Sequence, residues 1–211
     1  MAEIDVSQKA DIFAVMGATG SGKSVAIKAE LRKRKARRLV IFDPEEEYLA
    51  FGRRVERLAD VVSVLSQCGH DKGFRLVFVP HADPAKAEAQ FEVLCRAAFH
   101  AGNVLLVAEE LAAVTKPTKA PVGWGMASTR GRKRGVSIIG ASQRPAQIDK
   151  AFLSGCTRVR SGRLLYEDDA QVMAKVLGLG KEGVPELMGL ADLEYFERVM
   201  PGQAVRGRVK I

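Results

Sequence analysis

Eight residues constrain this chain more than any others: Gly17-Ala18-Thr19-Gly20-Ser21-Gly22-Lys23-Ser24 spells G-x-x-x-x-G-K-S. Before it, Ile12–Met16 is a short apolar run that reads as a buried strand, and after it Val25–Leu31 has helix-forming composition. Strand, glycine loop and helix in that order turn successive backbone N–H groups inward at a helix N-terminus, where they cradle a polyphosphate. In such a loop Lys23 reaches the β/γ-phosphates and the Ser24 hydroxyl meets Mg2+, while Gly17, Thr19, Gly20, Ser21 and Gly22 complete the cradle. A match this strict arises by accident in roughly one chain in a hundred of this length. The residues therefore imply a site for ATP and Mg2+.

Downstream, β-branched apolar runs alternate with longer segments of helical composition, the pattern of an α/β fold with a mainly parallel central sheet and helices on both faces. Strands are expected near Ile12–Met16, Arg38–Asp43, Phe74–Pro80, Val104–Glu109, Val136–Ser142 and Thr157–Leu164. Helices are expected near Lys23–Lys35, Leu58–Gln67, Pro84–Ala101, Val122–Arg132, Ala146–Leu153 and Glu167–Leu177. Tyr195–Met200 and Gln203–Ile211, around Pro201-Gly202, alternate as a C-terminal β-hairpin does. With 211 residues and no repeat or linker, the expectation is a single P-loop ATPase domain over 1–211, its core at about 10–180 and a C-terminal extension at 181–211.

Asn103–Glu110 reads as a buried strand ending in two carboxylates. A carboxylate pair at the C-terminal tip of a central strand faces the crevice where α/β sheets bind ligands. Glu109 is assigned to the metal, and Glu110 to orienting and deprotonating the attacking water. A basic helix end, Gly131-Arg132-Lys133-Arg134-Gly135, then runs into a strand that finishes on Ser142-Gln143-Arg144-Pro145. A glutamine at that tip suits sensing the γ-phosphate or placing water, and an arginine on the preceding helix suits projection out of its own subunit.

These residues resemble the R-K-x-G…[ST]-Q-R-P signature of the FtsK/HerA superfamily of DNA-translocating ATPases. Asp43-Pro44-Glu45-Glu46-Glu47-Tyr48 resembles that family's D-P-x-G-E-Y segment, with Glu46 in place of glycine, and Thr157–Arg160 followed by Glu167–Ala170 resembles its late strand and next helix. The likeness runs in the family's motif order from about Ile12 to Leu177. It implies a RecA-like P-loop NTPase core and a homo-oligomeric ring, usually a hexamer, with ATP between subunits. It implies Gln143 as sensor and Arg132 as the arginine finger acting in trans, with Arg134 and Arg130 as rivals. One departure is Glu109-Glu110, where the family usually has Asp-Glu. The segment Thr115–Gly125 corresponds to one that faces the channel in such rings, so Lys116 and Lys119 are expected to contact double-stranded DNA phosphates; Trp124 is expected to pack the loop base.

The formal charge of +8 suits a polyanionic partner. Besides the 130–134 group, Lys28, Arg32, Lys33, Arg34, Lys35, Arg37 and Arg38 crowd one stretch, readable as a solvated helix end, and Arg158, Arg160 and Arg163 form a third group. No run approaches the ~18 apolar residues of a membrane span, and Met1–Asp5 is acidic without a secretory pattern. Cys68, Cys95 and Cys156 have no metal-ligand spacing and read as reduced, buried thiols. A cytoplasmic location is expected. A bare motor of this kind resembles the packaging ATPases of double-stranded DNA viruses and phages, which implies docking on a capsid-vertex or portal protein and a location in the host cytoplasm or in association with the virion. Conjugative DNA-transfer ATPases are the alternative within the superfamily; a small P-loop kinase or a nucleotide-dependent scaffold are the alternatives outside it.

Overall fold

The computed structural model describes residues 11–69 and 72–209. In chain order the elements are β1 (Ile12–Met16), α1 (Lys23–Arg34), β2 (Arg38–Phe42), β3 (Arg53–Val55), α2 (Leu58–Gln67), β4 (Phe74–Phe78), α3 (Pro84–Ala101), β5 (Leu105–Ala108) and α4 (Leu111–Val114). They continue with α5 (Val122–Arg130), β6 (Ser137–Ser142), α6 (Lys150–Gly155), β7 (Arg158–Ser161), α7 (Glu167–Leu177), α8 (Gly183–Met188), β8 (Glu194–Val199) and β9 (Ala204–Arg208). The strands form one nine-stranded sheet in the order β3-β4-β2-β5-β6-β1-β7-β8-β9. Pairing is parallel from β3 to β7, whereas β8 and β9 add antiparallel as the expected terminal hairpin.

Every residue of β1, β2 and β5 is buried, as strands covered on both faces require. Side chains alternate between the faces with the period of the pleat. Phe13 and Val15 of β1 pack with Ala26, Ile27 and Leu31 of α1, while Ile12, Ala14 and Met16 join the larger core under α2, α3, α5, α6 and α7. That larger core contains an aromatic row: Phe42 meets Phe91 at 4.9 Å, Phe91 meets Trp124 at 5.4 Å, and Trp124 meets Phe152 at 5.0 Å. Such pairs contribute about 0.5–1.5 kcal/mol each beyond their burial. Trp124 has no exposed surface, so it packs the fold as anticipated.

Several expected elements move. The helix placed at Ala146–Leu153 is instead a 3-10 turn, Pro145–Gln147, followed by α6 from Lys150, because Asp149 accepts from the N–H groups of Ala151 and Phe152 and restarts the helix there. The helix placed at Val122–Arg132 ends at Arg130 and tightens into a 3-10 turn over Gly131–Arg134. The last parallel strand is shorter than Thr157–Leu164 because Gly162 and Arg163 turn toward the P-loop. Cys95 and Cys156 are buried, but Cys68 is only half-buried. Met1–Asp5, Lys210 and Ile211 lie outside the described residues.

Parts of two of the basic groups are absorbed by structure. Arg34 forks onto Asp11 at 2.6 and 2.7 Å and bonds Glu30 at 2.7 Å. Arg158 bridges Glu30 and Glu197, each at 3.0 Å, and Arg160 bonds Glu197 at 2.7 Å. This chain of charges ties the P-loop helix α1 to β7 and the hairpin. Buried Arg38 donates to the carbonyls of Gly69 and Lys72.

Candidate nucleotide site

Strands β5, β6 and β1 are consecutive neighbours and parallel, so their C-terminal tips stand side by side. At about 4.8 Å per strand spacing, the tip of β5 lies roughly 10 Å from that of β1, with β6 between them. The tip of β5 carries Glu109-Glu110, that of β6 carries Gln143, and that of β1 leads into Gly17–Ser24. Topology alone thus brings the separated motifs to one edge, where open α/β sheets bind ligands.

The loop from Gly17 to Gly22 is braced from both sides. Gly17 N–H donates to the Ser142 carbonyl at 3.2 Å and Ala18 N–H to the Arg163 carbonyl at 2.8 Å. Gly22 has φ +92°, in the left-handed region, and a Cβ there would lie 2.9 Å from Leu193 Cδ2. Only glycine meets both conditions without strain. The contact also seats the C-terminal extension against the loop, a link that the sequence reading did not anticipate. Helix α1 opens on Gly22 with no side-chain cap and no acidic residue in its first turn, leaving its N–H groups and positive dipole end for an anion.

Lys23 extends its ammonium to the Ala18 carbonyl, 3.2 Å away. Burial lowers its pKa from the usual lysine value, opposed by the negative charge of Glu109, Glu110 and Glu47 around it. Glu109 is buried, and desolvation raises its pKa against the lowering effects of the Tyr48 hydroxyl and Lys23. The Tyr48 hydroxyl donates to Glu109 Oε1, and the Ser24 hydroxyl lies beside it. Burial and the neighbouring carboxylate raise the Tyr48 pKa well above that of a free phenol, so it remains a donor.

Glu110 differs from its neighbour. It is half-exposed, sits in the left-handed region at φ 48° and ψ 56°, and initiates α4. Its carboxylate accepts from Ser142 Oγ at 3.3 Å and from Gln143 N–H at 3.5 Å. Gln143 is exposed, and its Oε1 accepts from Thr19 Oγ1 at 2.8 Å. Thr19, Gln143 and Glu110 therefore form a connected row across the three strand tips. Ser21 is buried, Gly20 and Thr19 are exposed, and Ser24 and Lys23 are half-buried.

The segment Asp43–Tyr48 contributes what sequence reasoning passed over. Both Asp43 carboxylate oxygens accept backbone N–H groups, from Glu47 at 3.0 Å and Tyr48 at 2.8 Å, closing a turn that inserts Tyr48 beneath the site. Glu46 holds φ 55°, the left-handed conformation for which the resembled motif carries glycine.

The remaining candidates lie apart from this row. Lys116 and Lys119 are exposed and face one another across an antiparallel bridge, with N–H to carbonyl distances of 3.0 and 3.2 Å, so the loop is a small hairpin on the β5 tip side. Thr115 anchors it, accepting from Asp149 N–H at 3.4 Å. Arg132 is exposed at the opposite edge of the sheet, before β6 begins, about 20 Å from the strand tips given six residues at 3.3 Å each. Arg134 there donates to the carbonyls of Phe99 at 2.7 Å and His100 at 2.9 Å, which commits it to holding the turn against α3. Arg130 lies 5.9 Å from the Phe99 ring.

Fold and site together define a P-loop NTPase. Residues 3–94 match the family model described as "Helicase HerA, central domain". The chain is 32% identical to Protein P9 of Pseudoalteromonas phage PM2 over 177 residues, covering 82% of this chain and 78% of that protein. It belongs to the HerA/FtsK-type NTPases, as a homologue of that phage protein. Among solved structures, the genome packaging NTPase B204 from Sulfolobus turreted icosahedral virus 2, in complex with AMPPCP, superposes with a TM-score of 0.75 at 18% identity, covering 95% of this chain and 98% of that one. VirB4 of Thermoanaerobacter pseudethanolicus gives a TM-score of 0.72 at 13% identity, covering 100% and 93%. The plasmid coupling protein TrwB in complex with ADP and Mg2+ gives 0.66 at 13%, covering 98% and 86%. The last three likenesses establish the fold. Among the described residues, no helix is long and apolar enough to cross a membrane.

Proposed function

We propose that this chain is an ATP-driven double-stranded DNA translocase that packages a viral or phage genome into a preformed capsid. The observation that carries this reading is the coincidence of two things. The nucleotide motifs converge on one hydrogen-bonded row, and the chain's relative at 32% identity is a phage protein. Its likeness to an NTPase described as genome packaging supports the same reading. The likeness to TrwB, described as a plasmid coupling protein, favours conjugative DNA transfer as the second reading. The unit is read as a single ATPase domain, core about 10–180 with extension 181–211, supported by the hairpin's continuity with the sheet and its contact on Gly22.

In this account the N–H groups of the loop and α1 bind the phosphates, and Lys23 supplies a fixed counter-charge to the β and γ groups. Ser24 and Glu109 present a hydroxyl and a buried carboxylate, hard oxygen donors that fit Mg2+ shared with phosphate oxygens and water. When bound, Mg2+ neutralises charge on the transferred phosphoryl group. Glu110 is the base: it is the carboxylate that remains half-exposed, whereas Glu109 is buried and bonded to Tyr48. Gln143, within 2.8 Å of the loop residue Thr19, reads the γ-phosphate end.

Arg132 is too far from its own strand tips to serve them, which supports a role across a subunit boundary in a ring, taken as a hexamer. Lys116 and Lys119 are like charges paired across a hairpin, and among the described residues neither forms a salt bridge. Opposed lysines repel one another, and DNA phosphates relieve that repulsion. Steady-state ATP hydrolysis with and without long double-stranded DNA, read beside the mass of the assembly, tests the proposal. Turnover stimulated by DNA in a ring-sized species is expected. DNA-independent turnover by a monomer would overturn it.

A further inference from the structure

Tyr48 takes no part in the chemistry assigned to Lys23, Glu110 and Gln143, yet it lies wholly buried between the two residues assigned to the metal. Its hydroxyl donates to Glu109 Oε1, and the Ser24 hydroxyl lies beside it, so the phenol stands between the end of the P-loop and the tip of β5. Its own placement is fixed independently. Tyr48 N–H donates to Asp43 Oδ2 at 2.8 Å, and its carbonyl accepts from Phe51 N–H at 2.9 Å. The ring packs with Phe51 at 6.3 Å, and Lys28 stands 5.4 Å from its centroid.

A glutamate at this strand tip has one more rotatable bond than an aspartate, and so more ways to point its carboxylate. A hydroxyl clamped in the core removes that freedom. Groups that hold a metal ligand from behind commonly change metal affinity 10–100-fold when lost. We propose that Tyr48 is a positioning residue for the magnesium ligand Glu109, its hydroxyl holding that carboxylate in one arrangement beside Ser24 before nucleotide arrives. The inference rests on the reading of this site as an Mg·ATP site.

The test is nucleotide binding, followed with a fluorescent non-hydrolysable ATP analogue in EDTA and across a magnesium titration. Tyr48→Phe keeps the ring and deletes only the hydroxyl. Its affinity in EDTA should stay within about 2-fold of wild type, while its Mg2+ half-saturation should rise by about 10–100-fold. Should Tyr48→Phe fail to fold, Asp43→Asn weakens the turn that carries Tyr48 without altering a metal ligand, and should raise the half-saturation in the same sense. A role confined to core packing would lower the melting temperature and leave the magnesium titration unmoved. An unchanged half-saturation in Tyr48→Phe, or in Asp43→Asn where that is the variant measured, overturns the proposal. Failure of the underlying site reading looks different: wild-type protein would then bind the analogue equally in Mg2+ and EDTA, or not at all.

Discussion

Glu110→Gln separates chemistry from architecture at this site. The carboxylate accepts two hydrogen bonds, from Ser142 Oγ at 3.3 Å and Gln143 N–H at 3.5 Å. A glutamine carbonyl oxygen accepts both as well. Those bonds are long and the residue is half-exposed, so the fold should lose less than about 1 kcal/mol. The left-handed backbone at φ 48° is unaffected, since both residues carry the same Cβ. The amide cannot take a proton from water, and a positioned base contributes about 10²–10⁴ in rate. At 1.36 kcal/mol per tenfold, the barrier should rise by about 3–5 kcal/mol. The assay pairs single-turnover ATP hydrolysis with equilibrium binding of ATP and a thermal melt. The expected variant binds ATP within a few-fold of wild type, melts normally and turns over 10²–10⁴ times more slowly. Near-native turnover in Glu110→Gln beside a dead Glu109→Gln would refute the division of labour drawn from their unequal burial.

The other predictions probe the ring, the DNA contact and the turn beneath the site. Arg132→Ala should keep ATP affinity and lose most hydrolysis, because a finger matters when charge develops on the phosphoryl group. Mixing it with Lys23→Ala subunits should restore some turnover, and no recovery in rings shown by mass to contain both would reject the role in trans. Neutralising Lys116 and Lys119 together should reduce the slope of log DNA affinity against log salt by about 1–2 units; an unchanged slope places the contact elsewhere, with the Arg32–Arg38 stretch next to be tested. Glu46→Gly should melt at or above the wild-type temperature, since φ 55° suits glycine, whereas Glu46→Val should melt lower by roughly 2–4 °C. Equal melting of the two variants would show that the turn is not strained.

The parts of the fold that were legible in the sequence are those whose signal is local. β1, α2, α3 and α7 fall where apolar spacing and caps put them, the last two opening on Pro84 and on an acidic first turn. The short elements were not legible. β3 has three residues, two of them exposed arginines at a sheet edge, and α8 contains both Gly183 and Pro185. Neither carries a period long enough to read. The P-loop was plain because its function lies in eight consecutive residues. Tyr48 stands in a resembled motif, but its role is not legible there, because its partner Glu109 is 61 residues away and only the sheet order brings them together. The resembled motif's glycine explains Glu46 only once its positive φ is seen. Likewise, nothing in the tail's alternation reveals that Leu193 abuts Gly22.

The central claim is that this chain couples ATP hydrolysis to movement along double-stranded DNA. Displacement of a triplex-forming strand from linear duplex DNA measures that movement directly. The account predicts displacement by the assembled protein with ATP and magnesium, none with a non-hydrolysable analogue, and none in Lys23→Ala. ATP turnover that proceeds equally with and without DNA, and leaves the triplex strand in place, would contradict it.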